Sequence, residues 1–223
     1  MKLVEYPDSE LMMFDLADLL ASELSAALRQ NEGASFCVAG GSTPGPVFDI
    51  LSGVKLDWDR VTIFPSDERW VPETDERSNA RMLKRRLLTG KAEAARFIPL
   101  YADTPAPEDA VEALSEAIEP NLPISVLLLG MGADMHTASL FPKADHLEQA
   151  LSPDAPILVP ITAPGAGEPR MTLSARVLED AMNTHILITG EEKRKALMRA
   201  QTLEPDEAPV RAVLDAATVH WAP

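Results

Sequence analysis

Apolar residues recur along this chain in two rhythms, and the alternation between them is the first clue to its fold. Leu16, Leu20, Leu24 and Leu28 repeat every fourth residue, one face of a helix that Gly33 can close. Phe36 to Ala39 is instead a short apolar run that ends in Gly40-Gly41. After it, Thr43 is the predicted N-cap and Pro44 the first residue of a second helix. Val61-Thr62-Ile63-Phe64 is β-branched and aromatic and predicts a strand, followed by a helix from Ser78 to Leu88. Phe97 to Leu100 is a weaker strand, and Pro99 places it at an edge or an end. A helix over Pro107 to Ile118 turns Ala110, Val111, Leu114 and Ile118 inward.

The most hydrophobic stretch, Ile124 to Leu129, is short and ends in Gly130, which suits a parallel strand buried on both faces. Ile157-Leu158-Val159 and His185 to Ile188 are further strands, and Glu191 to Gln201 and Val210 to Ala217 are helices. The Pro-rich stretches Asp103–Pro107 and Pro153–Pro169 are too short to separate domains and read as loops, so residues 1–223 form one expected domain. Repeated β-α alternation predicts an α/β fold, a three-layer α/β/α sandwich with a mainly parallel sheet. In such folds ligands bind outside the carboxyl ends of the strands, near a topological switch point.

Composition narrows the partners. Lys and Arg number 20 against 35 Asp and Glu, a net charge of −15. Nucleic acid and anionic membranes are held by clustered cations, so neither is an expected partner, whereas a small anion needs only two or three focused ones. No apolar run reaches the length of a membrane span, and the N-terminal segment lacks the pattern of a signal peptide. Cys37 is the only cysteine, which forbids an internal disulfide. A cytoplasmic protein is the expectation.

Three segments can carry chemistry. Gly40-Gly41-Ser42-Thr43-Pro44 lies between a strand and a helix: its glycines, hydroxyls and helix-start N–H groups suit an anion, although a plain capped turn has the same look. Ser66-Asp67-Glu68-Arg69-Trp70-Val71-Pro72 follows the next strand and reads as a loop, solvated or else brought to the same sheet edge, with Asn79 opening the helix nearby. Leu128 to Thr137 runs from a buried strand through Gly130-Met131-Gly132 into Asp134-Met135-His136. An Asp two residues from a His on an extended loop can fix the imidazole tautomer and raise its basicity, while the simpler alternative is a His that caps the following helix. His146, His185 and His220 are less promising. Two ligands without a third at helical spacing do not make a metal site. Arg170 and Lys193 add cations after a loop and after a strand, Lys193 in the first turn of its helix, where a bound phosphate would explain a cation.

Taken together these segments resemble the 6-phosphogluconolactonase family over nearly the whole chain. The resemblance rests on Gly40–Pro44, Asp67–Pro72 with Ser78-Asn79, Leu129–Pro142, Pro169–Leu173 and Gly190–Lys193, in the family's order. It implies a Rossmann-like fold without nucleotide, shared with glucosamine-6-phosphate deaminases, and hydrolysis of 6-phospho-D-glucono-1,5-lactone. It implies His136 as general base, Asp134 as its orienting partner and Asp67 on sugar hydroxyls or the water, with Glu68 orienting Arg69. Gly41, Ser42, Thr43, Arg69, Asn79, Arg170 and Lys193 would bind the phosphorylated substrate. No metal or organic cofactor is expected, because an ester carbonyl is already electrophilic, and the chain is expected to act as a monomer or weak dimer. The alternatives are a deaminase-like isomerase, whose loop carries a Glu where Thr137–Pro142 has no carboxylate, and a sugar-phosphate-binding regulator without turnover. The sequence departs from the family at Met135, where glycine is usual, and the expectation is a loop adapted to negative φ.

Overall fold

The leucine rhythm becomes the inner face of a long first helix, α1 (Ser9–Gln30), on which all four leucines are buried. Asp8 starts it by accepting the Leu11 N–H at 2.8 Å, satisfying one of the donors that a helix start leaves open. This computed structural model describes residues 1–164 and 167–223, so residues 165 and 166 of the Pro153–Pro169 stretch lie outside the described residues. The strands are β1 (Lys2–Glu5), β2 (Ala34–Val38), β3 (Val61–Pro65), β4 (Asp67–Arg69), β5 (Arg96–Phe97), β6 (Val126–Gly130), β7 (Leu158–Ile161), β8 (Arg170–Leu173), β9 (Thr184–Thr189) and β10 (Thr218–Ala222). After α1 come α2 (Gly45–Ser52), α3 (Asn79–Arg86), α4 (Val111–Ile118), α5 (Leu147–Leu151), α6 (Ala175–Glu179), α7 (Glu191–Ala200) and α8 (Arg211–Leu214).

Seven strands form one sheet in the order β1-β10-β9-β6-β2-β3-β5, each pair parallel. Successive side chains of a strand point to opposite faces, and the chain exploits this fully. Phe36 and Val38 of β2, with Val126 and Leu128 of β6, pack against α1, α2 and α3. Cys37, Leu127 and Leu129 face the other way, into a core shared with α4 to α8. Both faces are covered, so the strands read as continuous apolar runs, and the result is the three-layer α/β/α sandwich with a mainly parallel sheet.

The chain leaves β2 through α2 toward β3 on one side and later leaves β6 toward β9 on the other. The loops after β2 and β6 therefore diverge at the centre of the sheet, the switch point where such folds open a crevice.

A second sheet, β4-β8-β7, is antiparallel and was not visible in the hydrophobic pattern. Asp67-Glu68-Arg69, read as loop from its charges, is a strand because β8 supplies its partners. The strand expected at Ile157–Val159 is β7, which begins one residue later and runs on to Ile161, and it belongs to this sheet rather than the main one. The hydrophobic pattern also does not reveal β1, an edge strand of four residues, or β10, which lies between β1 and β9 and carries a histidine in its middle. Thr43 is not the cap of α2. Pro44 holds that position in helical conformation, without a side-chain cap, and the helix begins at Gly45. Val111 is only partly buried, whereas Ala110, Leu114 and Ile118 face the core as expected.

Candidate active site

Each flank of the switch-point crevice is built by a glycine that makes room for a polar side chain. At Gly40 a Cβ would fall 2.0 Å from the Asn79 amide oxygen, so only glycine lets α3 bring Asn79 against the β2 loop. At Gly132 a Cβ would fall 2.2 Å from His136 Nδ1 and 2.4 Å from Asp134 Oδ1. Gly41 adopts φ 87°, in the region that glycine enters without penalty.

The loop after β6 is not extended, as the Asp-x-His spacing had suggested, but a compact turn. Met135 donates its N–H to Gly132 O, and Gly132 donates to His136 O, each at 3.0 Å. Met135 sits at φ 68°, against the expected negative value, with its side chain buried in the core and its carbonyl accepting the Val210 N–H. The turn folds Asp134 Oδ1 to 2.5 Å from His136 Nδ1 and 3.2 Å from the His136 N–H. No helix directly follows, so His136 is not a cap. Burial opposes ionisation of Asp134, but the hydrogen bond and charge of His136 outweigh it and hold the carboxyl below its ordinary range. With Nδ1–H donating to Asp134, Nε2 is the basic nitrogen of the neutral ring. Phe141 supports the imidazole from one side, with ring centroids 4.4 Å apart.

Opposite, β4 presents a buried acidic pair with divided tasks. Asp67 accepts the Ser66 hydroxyl at 3.0 Å and the Ser139 hydroxyl at 2.5 Å, with Arg170 Nη1 4.0 Å away. Glu68 is fully buried and accepts the backbone N–H groups of Arg69, Asn79 and Ala80 and the Ser78 hydroxyl. It therefore fixes the start of α3 and does not engage the Arg69 guanidinium, a correction to the expected role. Burial raises its pKa, and the three N–H donors oppose the rise. Arg69 instead donates to Arg77 O at 2.7 Å and Asn79 Oδ1 at 3.0 Å, while Asn79 Nδ2 donates to Asp67 O at 2.8 Å. Arg170 is largely buried, which lowers its pKa; the carboxylates of Asp67 and Glu168 oppose that effect, while Arg69 adds to it.

These elements enclose an open cleft of about 370 Å³. Gly41, Ser42 and Thr43 line it from the β2 loop, Asp67, Arg69 and Asn79 from β4 and α3, and His136, Arg170 and Lys193 from the remaining sides. Asp134 is the one expected site residue outside the lining, behind the imidazole. Among the described residues, no group of three or more His, Cys, Asp or Glu side chains is gathered as a metal site. Sequence reasoning passed over Ser139, Phe141 and Glu168. Ser139 reaches Asp67 across 72 positions, a pairing with no local signal, while Glu168, two residues before Arg170, carried at least a positional hint.

A family model described as glucosamine-6-phosphate isomerases/6-phosphogluconolactonase matches residues 7–221. The chain belongs to this family. Among its relatives, a 6-phosphogluconolactonase of Mesorhizobium japonicum is 41% identical, over 98% of this chain and 94% of that one. Another from Pseudomonas aeruginosa is 42% identical over 93% of this chain and 89% of the other. The crystal structure of a 6-phosphogluconolactonase from Shewanella baltica superposes with a TM-score of 0.96 at 31% identity, covering 100% of this chain and 98% of that one. Family membership is thus carried by sequence and by fold together. No helix among the described residues is long and apolar enough to cross a membrane.

Proposed function

We propose that this chain hydrolyses 6-phospho-D-glucono-1,5-lactone to 6-phosphogluconate, as the names of its relatives suggest. The observation that carries the reading is the Asp134–His136 pair at a cleft whose other walls hold Arg69, Arg170 and Lys193. A base and several cations lining one cleft match a sugar ester that also carries a phosphate. The deaminase-like reading lacks support, because Thr137–Pro142 contains no carboxylate to assist ring opening.

His136 Nε2 takes a proton from water as the oxygen attacks lactone C1, and Asp134 stabilises the imidazolium that forms. Loop N–H groups at the switch point receive the charge that develops on the carbonyl oxygen. The tetrahedral intermediate collapses, the C1–ring oxygen bond breaks, and the imidazolium returns its proton to the departing oxygen. The products are one carboxylic acid, ionised at neutral pH, and one hydroxyl. Asp67, held by Ser66 and Ser139, accepts from sugar hydroxyls or aligns the water. Ser42, Thr43, Arg170, Lys193 and Arg69 hold the phosphate, Arg in bidentate fashion and Lys as a point charge.

The test is a dehydrogenase-coupled assay on freshly generated lactone, corrected for spontaneous hydrolysis. The wild type is expected to turn over and His136→Ala to lose about 10²–10⁴-fold in kcat, the usual contribution of a general base. Retention of more than about a tenth of wild-type turnover would move the base elsewhere, with Asp67 the first alternative.

A further inference from the structure

Antiparallel pairing of β4 with β8 sets Arg69 directly opposite Arg170. Like charges on facing cross-strand positions repel, and the burial of Arg170 removes much of the water that would screen them. Three carboxylates surround the pair. Glu68 spends both oxygens on backbone N–H groups, those of Asn79 and Ala80 at the start of α3 and that of Arg69. Asp67 is engaged by two serine hydroxyls and stands 4.0 Å from Arg170 alone. Among these carboxylates of the described residues, Glu168 meets both arginines: its Oε1 lies 3.5 Å from Arg69 Nε and 4.0 Å from Arg170 Nη2. Its other oxygen, Oε2, accepts from Arg77 Nη1 at 2.6 Å, and Arg77 is anchored in turn by Asp75 at 2.9 Å. Asp75 is held down to a pKa of about 2 by that hydrogen bond, so the anchor stays charged throughout the neutral range.

We propose that Glu168 is a positioning residue that bridges Arg69 and Arg170 across the β4–β8 pair and so holds the two guanidiniums ready for the substrate's phosphate. The proposal rests on the lactonase reading for the identity of the substrate, though not for the anion. Arg69 is then held at Nε by Glu168 and at Nη1 by Arg77 O and Asn79 Oδ1, so little freedom is left for it to lose on binding. Arg77 extends the same bridge to Asp75 and, through its carbonyl, back to Arg69. Without the carboxylate the two arginines repel and separate. The cleft then gains one unit of positive charge but loses the spacing that a single phosphate can span.

The experiment measures the Kd of inorganic phosphate by titration calorimetry, and lactone kinetics, for the wild type, Glu168→Gln, Arg69→Gln and the double variant. Glu168→Gln keeps the shape and is expected to weaken phosphate binding by about tenfold, the scale of one charge-assisted contact. KM for the phosphorylated lactone rises similarly, kcat stays within about twofold, and the rate on unphosphorylated gluconolactone is unchanged. In the Arg69→Gln background, where no repelling pair remains, the same change costs less than about twofold, a non-additivity that a general loosening would not produce. Glu168→Asp, charged but a methylene shorter, is expected to fall between wild type and Glu168→Gln. Tighter phosphate binding in Glu168→Gln, equal losses on both lactones, or additive effects in the double variant would each overturn the assignment. If the wild type binds phosphate with this dependence yet leaves the lactone untouched, the lactonase reading falls and the role of Glu168 stands.

Discussion

Met135 holds a buried side chain on a left-handed backbone, and substituting it in two ways isolates the strain. At φ 68° an L-residue costs on the order of 1–2 kcal/mol relative to an ordinary conformation. The Met135 side chain is 7% exposed, so truncation removes core contacts worth about 2–5 kcal/mol, as in other buried Met-to-Ala changes. Met135→Ala and Met135→Gly share that loss, and both are expected to melt below the wild type. They differ in the backbone. Alanine retains the strain, whereas glycine sheds it and pays about 0.4–1 kcal/mol in unfolded-state entropy. The difference leaves Met135→Gly more stable than Met135→Ala by about 0.5–1 kcal/mol, the reverse of the usual order at unstrained positions. For a chain of this size that is a gap of roughly 1–4 °C in Tm. Paired thermal and urea melts at neutral pH measure it, the urea m-value checking that the unfolded states are comparable. An alanine variant as stable as the glycine variant, or more so, would refute a strained left-handed turn beside His136.

Gly132→Ala is expected to fold with nearly unchanged Tm but to lose at least about tenfold in kcat, because its Cβ displaces both members of the Asp134–His136 pair. Stopped-flow turnover alongside a thermal melt separates the two effects. Arg170→Ala should raise KM for the phosphorylated lactone while leaving the slow rate on gluconolactone nearly unchanged; equal losses on the two substrates would remove Arg170 from phosphate binding. His220 is pushed down from 6.5 to about 4 by burial, with the charges of His185 and Lys2 adding to the effect. Between those values the unfolded chain takes up a proton that the folded chain refuses, so this contribution is intact above pH 6.5 and is lost as the pH falls toward 4, by roughly 3 kcal/mol. Denaturation of His220→Gln across that window should show a flatter pH dependence than the wild type, and an unchanged slope would assign the acid sensitivity to other groups.

The buried network around His220 shows how a residue dismissed from sequence acquires a role through packing. His185 Nδ1 meets His220 Nε2 at 3.0 Å, Glu23 of α1 closes one end at 2.8 Å, and the Tyr6 hydroxyl closes the other at 3.0 Å. The parallel register of β9 and β10 brings the two histidines together over 35 positions. Neither strand's local pattern contains the other's neighbour, so no reading of periodicity could pair them.

What the sequence determined by itself was everything set by short-range chemistry. The leucine spacing of α1, the apolar runs of β2, β3, β6 and β9, and the Gly-containing segments that end β2 and β6 report local preferences and burial, and they sufficed for the layers and the crevice. Asp134 and His136 were legible because two residues of separation already bring them within reach of one hydrogen bond. The tertiary structure decided what depends on partners far along the chain. Asp67-Glu68-Arg69 has no strand propensity and becomes one only when β8 pairs with it, which is also what sets Arg69 against Arg170 and gives Glu168 its place. The left-handed backbone at Met135 is not legible in the sequence for the same reason. A strained φ persists only where surroundings over-determine it, and here the core around the side chain and the hydrogen bond from Val210 to its carbonyl supply that constraint from outside the segment.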